Sequence, residues 1–191
     1  LNDGLREVTN PSEVLINNNN EGLSGISTAA TIDGIRPFLI EVQALVSTAA
    51  YGMPQRVSTG YDVRRLNMLL AVLERKAGFK IATRDVFLNL AGGLRVTDPA
   101  LDLAVIAAVI SSGVDKAIAK KTCFSAEVGL SGEIRPVNRI ETRIREAGRL
   151  GFTSIVISGA YEKINMPGKE HIQVIKVNRV EEALKQLFSK E

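Results

Sequence analysis

The segment Gly92-Gly93-Leu94-Arg95-Val96-Thr97-Asp98-Pro99-Ala100-Leu101-Asp102 sets a Gly-rich turn before a very apolar helix, Leu103 to Ile110. Asp98 is an N-cap candidate, and Pro99 takes the first helical position. A helix start carries unpaired backbone N–H groups and the positive end of the helix dipole. Both favour an activated nucleophile or a bound anion. The residue after the proline is Ala100, which has neither hydroxyl nor thiol. The segment therefore reads as an active site without its nucleophile.

Other chemistries are weaker. Asp98 and Asp102 sit four apart and suggest an acid–base pair. Helix capping and first-turn charge explain them better, at roughly 0.3–1 kcal/mol each. His171 is the one histidine and precedes a strand, with no nucleophile motif to match it. One cysteine, Cys123, and one histidine cannot furnish a zinc site. Cys123 beside Phe124 reads as a buried small hydrophobe, and a lone cysteine fits a reducing, cytoplasmic setting. Gly168-Lys169 lacks the first P-loop glycine and is followed by Glu170, so no nucleotide site is expected. Ser111 and Ser112 remain as a relocated nucleophile, but they lie about three turns into the helix with no lysine to activate them.

Arginines carry the other possibility. From Arg56 to Arg84 seven basic residues (Arg56, Arg64, Arg65, Arg75, Lys76, Lys80, Arg84) face only Asp62 and Glu74. Such an excess attracts a phosphate backbone in a salt-dependent way. Arg139 and Arg143 lie four apart on one helix face, with Glu146 available to pair with Arg143. Arg56, Arg64, Arg65, Arg139 and Arg143 are the candidate DNA contacts. No aromatic residues interleave with them, so backbone contact is favoured over base stacking.

The elements that hold these residues follow from pattern. With 191 residues, 45% hydrophobic and 24% charged, the chain can bury a full core and is not disordered. No apolar run is long enough for a membrane span. Leu1–Ser12 reads as a linker, without a start methionine, and Glu13–Ile16 as a short strand before the Asn17–Asn20 loop. Ser24–Ile32 and a strand from Phe38 to Val46 flank Asp33-Gly34, a strong hairpin signal. Phe38, Ile40, Val42, Ala44 and Val46 share one face, with Glu41 and Gln43 on the other. Pro37 suggests an edge. Asp62 caps a helix burying Val63, Leu66, Leu70, Leu73 and Ala77, and Gly78 ends it. Strands follow at Val86–Leu90, Phe124–Leu130, Ser154–Ile157 and Ile172–Val177. Asn138 with Glu141 forms a capping-box pattern for a helix ending near Gly151, and a last helix starts at Val180. Strands first and alternation afterwards make an α/β domain.

Four segments together resemble a known family: 41–46, 51–56, DVFLNLAGGLRVTDPALDLA over 85–104, and AEVGLSGEIRPV over 126–137. They resemble the C-terminal domain of the bacterial DNA-repair protein family RadA (Sms), across essentially the whole chain. That domain is similar to the proteolytic domain of Lon proteases. The resemblance implies an α/β (α+β) fold of the Lon proteolytic-domain, ribosomal protein S5 domain 2-like type: a mixed sheet with packed helices spanning 13–191. Residues 1–12 would then be a linker from a missing N-terminal ATPase region. In Lon a Ser–Lys dyad cleaves peptides, and its positions map to Ala100 and Glu141, so no catalytic residue and no peptidase activity are expected. The family further implies hexameric rings that drive ATP-dependent branch migration in homologous recombination, with DNA and the RecA recombinase as partners. This domain would support the ring and bind DNA. Zinc and ATP with magnesium are expected outside this chain, which lacks the zinc cysteines, the Walker motif and Lys-Asn-Arg-Phe-Gly. A pure oligomerisation module without DNA contact is the remaining alternative.

Overall fold

A computed structural model describes Ser12, Leu15, Ile16 and residues 22–50, 52–165 and 172–188. β1 (Ile26–Asp33) and β2 (Arg36–Thr48) form an antiparallel hairpin. Its turn is Gly34-Ile35, because Asp33 still pairs with Arg36. Gly34 sits at φ 59, the left-handed value a two-residue turn of this kind needs at its first position. β3 (Arg56–Thr59), α1 (Val63–Ala77) and β4 (Arg84–Leu90) follow. α2 (Asp102–Val114) leads to β5 (Thr122–Ser125) and the short pair β6 (Glu127–Val128) and β7 (Ile134–Arg135). α3 (Ile140–Arg149), β8 (Ser154–Ser158), β9 (Gln173–Val177) and α4 (Val180–Phe188) complete the order.

Seven strands make one sheet in the order β3-β4-β2-β1-β5-β8-β9, antiparallel at β4–β2–β1 and parallel elsewhere. The expected mixed α/β architecture is present. One sheet face packs α1 and α2 over Ile40, Val42, Val86, Leu88 and Phe124. On the other, α3 lays Ile140, Ile144 and Ala147 on Ala30, Leu39, Cys123, Ile155 and Ile157. Cys123 is fully buried, which pushes its thiol pKa up. α1 starts and stops where its sequence says: Asp62 accepts the Arg65 N–H, and Gly78 closes the helix at φ 68.

Several expectations need correction. Phe124–Leu130 is not one strand, because Ala126 leaves the sheet to bond the α2 start: its N–H donates to Ala100 and its carbonyl accepts from Leu103. Glu41 is buried instead of solvated, opposite Thr28 of β1, where it accepts from Gln43. Pro37 is accommodated because β4 pairs only with Val42–Thr48, leaving that end of β2 with one neighbour. Val63 turns outward, and Leu69 and Val72 join the buried stripe of α1. The capping box at Asn138 and Glu141 does not form: Arg139, at φ 53, is the N-cap without a side-chain cap bond. Ser12 and Leu15 are helical, against the strand expected near them; the rest of 1–14, Asn17–Asn20, Gly168-Lys169 and His171 lie outside the described residues.

Candidate functional site

The Ala100 turn is closed. Pro99–Leu101 forms one 3₁₀ turn before α2, and Asp98 caps it by accepting the Ala100 N–H at 3.1 Å. Leu101 N–H bonds the Asp98 carbonyl and Leu103 N–H the Ala126 carbonyl. The donors that a helix start would offer to an anion thus already have protein partners. Ala100 itself has no exposed surface.

Asp98 joins this turn to two other elements. Its Oδ2 accepts from the Thr31 hydroxyl (2.8 Å), the Ile32 N–H (3.2 Å) and the Arg143 guanidinium (2.6 Å). Arg143 donates further to the Ala30 carbonyl (3.1 Å) and to both oxygens of Asn138 (2.9 Å each). Burial alone raises the Asp98 pKa, but Arg143, the Ala100 N–H and Thr31 outweigh it and hold the carboxyl below its ordinary value. α3 therefore sends Arg143, not Glu141, to the turn; Glu141 stays half-buried in the first turn of α3.

Asp102, the second carboxylate of the pair suggested by sequence, is fully buried in a separate network. It accepts from the Tyr61 hydroxyl (2.6 Å), the Val128 N–H (3.0 Å) and both Nε and Nη2 of Arg65. Burial and then the Asp102 charge raise the Tyr61 pKa, while the hydrogen bond to Asp102 raises that of Arg65. Asp98 and Asp102 are structural anchors with different partners, so they do not form an acid–base couple.

The five candidate arginines separate into distinct roles. Arg143 is 1% exposed and corrected from surface contact to core ion pair; its expected partner Glu146 bonds Arg149 instead. Arg65 is committed to Asp102 and lies 3.8 Å from Glu127. Arg56 donates to the carbonyls of Gln55, Ile81 and Arg84, and burial lowers its pKa. Arg64 and Arg139 are exposed, Arg64 on the first turn of α1 and Arg139 beside the β1–β2 turn, whose Gly34 carbonyl it bonds at 3.2 Å. Tyr61, Thr31 and Asn138 hold the networks unannounced by the sequence, since one hydroxyl or amide among many carries no pattern.

Relocated nucleophiles are also corrected. Ser111 has no exposed surface; its hydroxyl accepts the Gly25 N–H (2.8 Å) and donates to the Lys116 carbonyl. Ser112 accepts the Val46 N–H (2.9 Å). Both hydroxyls satisfy backbone groups of β2 and of the Gly25 and Lys116 loops, which leaves neither placed beside a base.

The family described as subunit ChlI of Mg-chelatase matches residues 44–160. The chain belongs to that family. It is also 45% identical over 187 residues to DNA repair protein RadA of Streptococcus pneumoniae (strain ATCC BAA-255 / R6), covering 97% of this chain and 44% of that protein. DNA repair protein RadA of Bacillus subtilis (strain 168) is 42% identical over 186 residues, 96% of this chain and 40% of that protein. The Listeria monocytogenes (serovar 1/2a, strain ATCC BAA-679 / EGD-e) RadA is 44% identical over 182 residues, 95% and 40%. The chain thus spans about two fifths of the length of the relatives it matches. Among the described residues no three His, Cys, Asp or Glu side chains gather as a metal-holding group. No helix among them is long and apolar enough to cross a membrane.

Proposed function

We propose that this chain is the proteolytically inactive Lon-like domain of a RadA-type DNA repair protein, binding DNA and supporting a ring of subunits. Identity of 41–45% spread over about 97% of the chain with proteins named DNA repair protein RadA carries this reading. It favours DNA repair over chelation, since the chelatase-named match stops at residue 160. The dyad positions hold Ala100 and Glu141, and the α3 side chain at the turn is Arg143. A guanidinium stays charged and cannot serve as an amine base. DNA contact falls to the exposed arginines of the five, Arg64 and Arg139, with Arg75, Lys76 and Lys80 exposed along and after α1. ATP hydrolysis, branch migration, the hexamer and RecA partnership belong to the longer protein.

Ring support has its own observation. Leu45 and Phe87 face each other across β2–β4, and Phe87 and Val57 across β4–β3. Among the described residues no α-helix covers this row: Leu45 is 58% and Val57 46% exposed. Its neighbours are Gln43, Asn89 and Thr59 on one side and Ser47 with the buried Asp85 on the other, none of them cationic, which suits a protein interface better than DNA. The test is binding of fluorescent duplex DNA by the 191-residue chain and its Arg64→Glu variant over about 50–200 mM salt. The expected result is affinity falling linearly in log–log form, with a shallower slope for the variant. Binding absent, or unaffected by salt, would refute the proposal.

A further inference from the structure

The β1–β2 turn carries an exposed apolar side chain among cations. Ile35 is 82% exposed at its tip, and Arg36 beside it is exposed. Arg139 approaches from the α3 start, its guanidinium bonded to Gly34 through one N–H and its other donors free to face solvent. Arg95, also exposed, lines a cleft of about 130 Å³ at the turn end of the hairpin with Ile32, Asp33 and Leu94. The acids lining this cleft are Asp33 and Asp98, and Asp98 is already engaged by Arg143.

Two features of this cluster do nothing for the fold. An isoleucine at a turn tip buries almost none of its surface, so it returns no hydrophobic stabilisation. Arg139 occupies left-handed backbone at φ 53, a strained place where glycine fits better. Its bond to an exposed carbonyl does not explain an arginine there. An apolar wedge flanked by guanidinium groups is, however, the arrangement by which proteins enter a DNA minor groove. The wedge parts a base step, and the cations hold the adjoining phosphates.

We infer that the β1–β2 turn is a duplex-DNA wedge, in which Ile35 enters between base pairs while Arg36, Arg95 and Arg139 hold the flanking phosphates. This rests on the DNA-binding proposal but places the contact on elements other than the α1 face of Arg64. The experiment titrates duplex DNA containing 2-aminopurine with the 191-residue chain, reading anisotropy for affinity and 2-aminopurine emission for unstacking.

The wild type is expected to raise the emission on binding. Ile35→Ser should bind within about threefold of wild type yet abolish that rise. Arg36→Glu with Arg95→Glu should weaken binding about tenfold and lower the log–log salt slope by about 2. Arg139→Gly separates binding from folding: the melting temperature holds or rises while affinity drops several-fold. Normal affinity and emission in all three variants, beside weakened binding in Arg64→Glu, would overturn the wedge and leave the α1 face standing. No binding by the wild type would overturn both. Binding by the wild type without an emission rise would also overturn the wedge.

Discussion

Arg143 and Asp98 meet with 1% and 12% of their side chains exposed, and every strong donor and acceptor around them is used. A buried ion pair adds little over an apolar pair, but removing one partner leaves an unpaired charge inside, costing about 3–5 kcal/mol. Arg143→Ala should destabilise the chain by that amount in a urea titration, whereas Arg139→Ala should change stability by less than about 1 kcal/mol. The pair also sets an acid response. Because the folded Asp98 pKa lies below its unfolded value, its contribution is complete above about pH 4, the unfolded carboxyl range. It is lost as pH falls through the folded pKa. Urea midpoints measured from about pH 6 to about pH 2 should therefore fall less steeply for Asp98→Asn than for the wild type. Cys123, buried with its thiol pKa pushed up, should stay unreactive toward a thiol reagent until the chain unfolds.

Elements whose signals are local are legible in the sequence. Asp62 and Gly78 mark the α1 boundaries, and Asp33-Gly34 marks the hairpin to within one residue of its Gly34-Ile35 turn, because caps and tight turns are decided within a few residues. Sheet order is not legible there, and neither are the roles of the arginines. In the helix pattern Arg143 reads as a surface partner of Glu146, and only the tertiary placement of Asp98, 45 residues earlier, takes it into the core. Glu41 likewise alternates as an outward residue but is covered by packing that no local period encodes. The split at Ala126 follows from its two bonds to the α2 start, also a long-range cause. A test at this scale concerns Gly25, at φ +79, where a Cβ would collide with the Ala44 carbonyl oxygen. Gly25→Ala should lower the melting temperature by several degrees, since both the backbone and the approach to β2 resist it.

At the scale of the whole molecule, the sheet has one face under α1 and α2, and on the other, among the described residues, α3 covers the first half of β2 together with β1, β5 and β8. The bare row of Leu45, Phe87 and Val57 and the arginine-flanked turn at Ile35 are then separate surfaces with different chemistry, one neutral and one cationic. Leu45→Lys with Val57→Lys should shift sedimentation toward the monomer while leaving DNA affinity unchanged within about threefold. The Ala100 turn, held shut by Asp98, Ala126 and Arg143, is a structural junction. Its character is tested most directly by intact-mass measurement after exposing the wild type and an Ala100→Ser variant to a serine-directed covalent probe. No adduct on either protein is the expected result, because the new hydroxyl would be enclosed at a position with no exposed surface, and the Asp98 carboxyl beside it is already held by Arg143. A stoichiometric adduct on the hydroxyl introduced at position 100, or on any serine near the turn in the wild type, would contradict it.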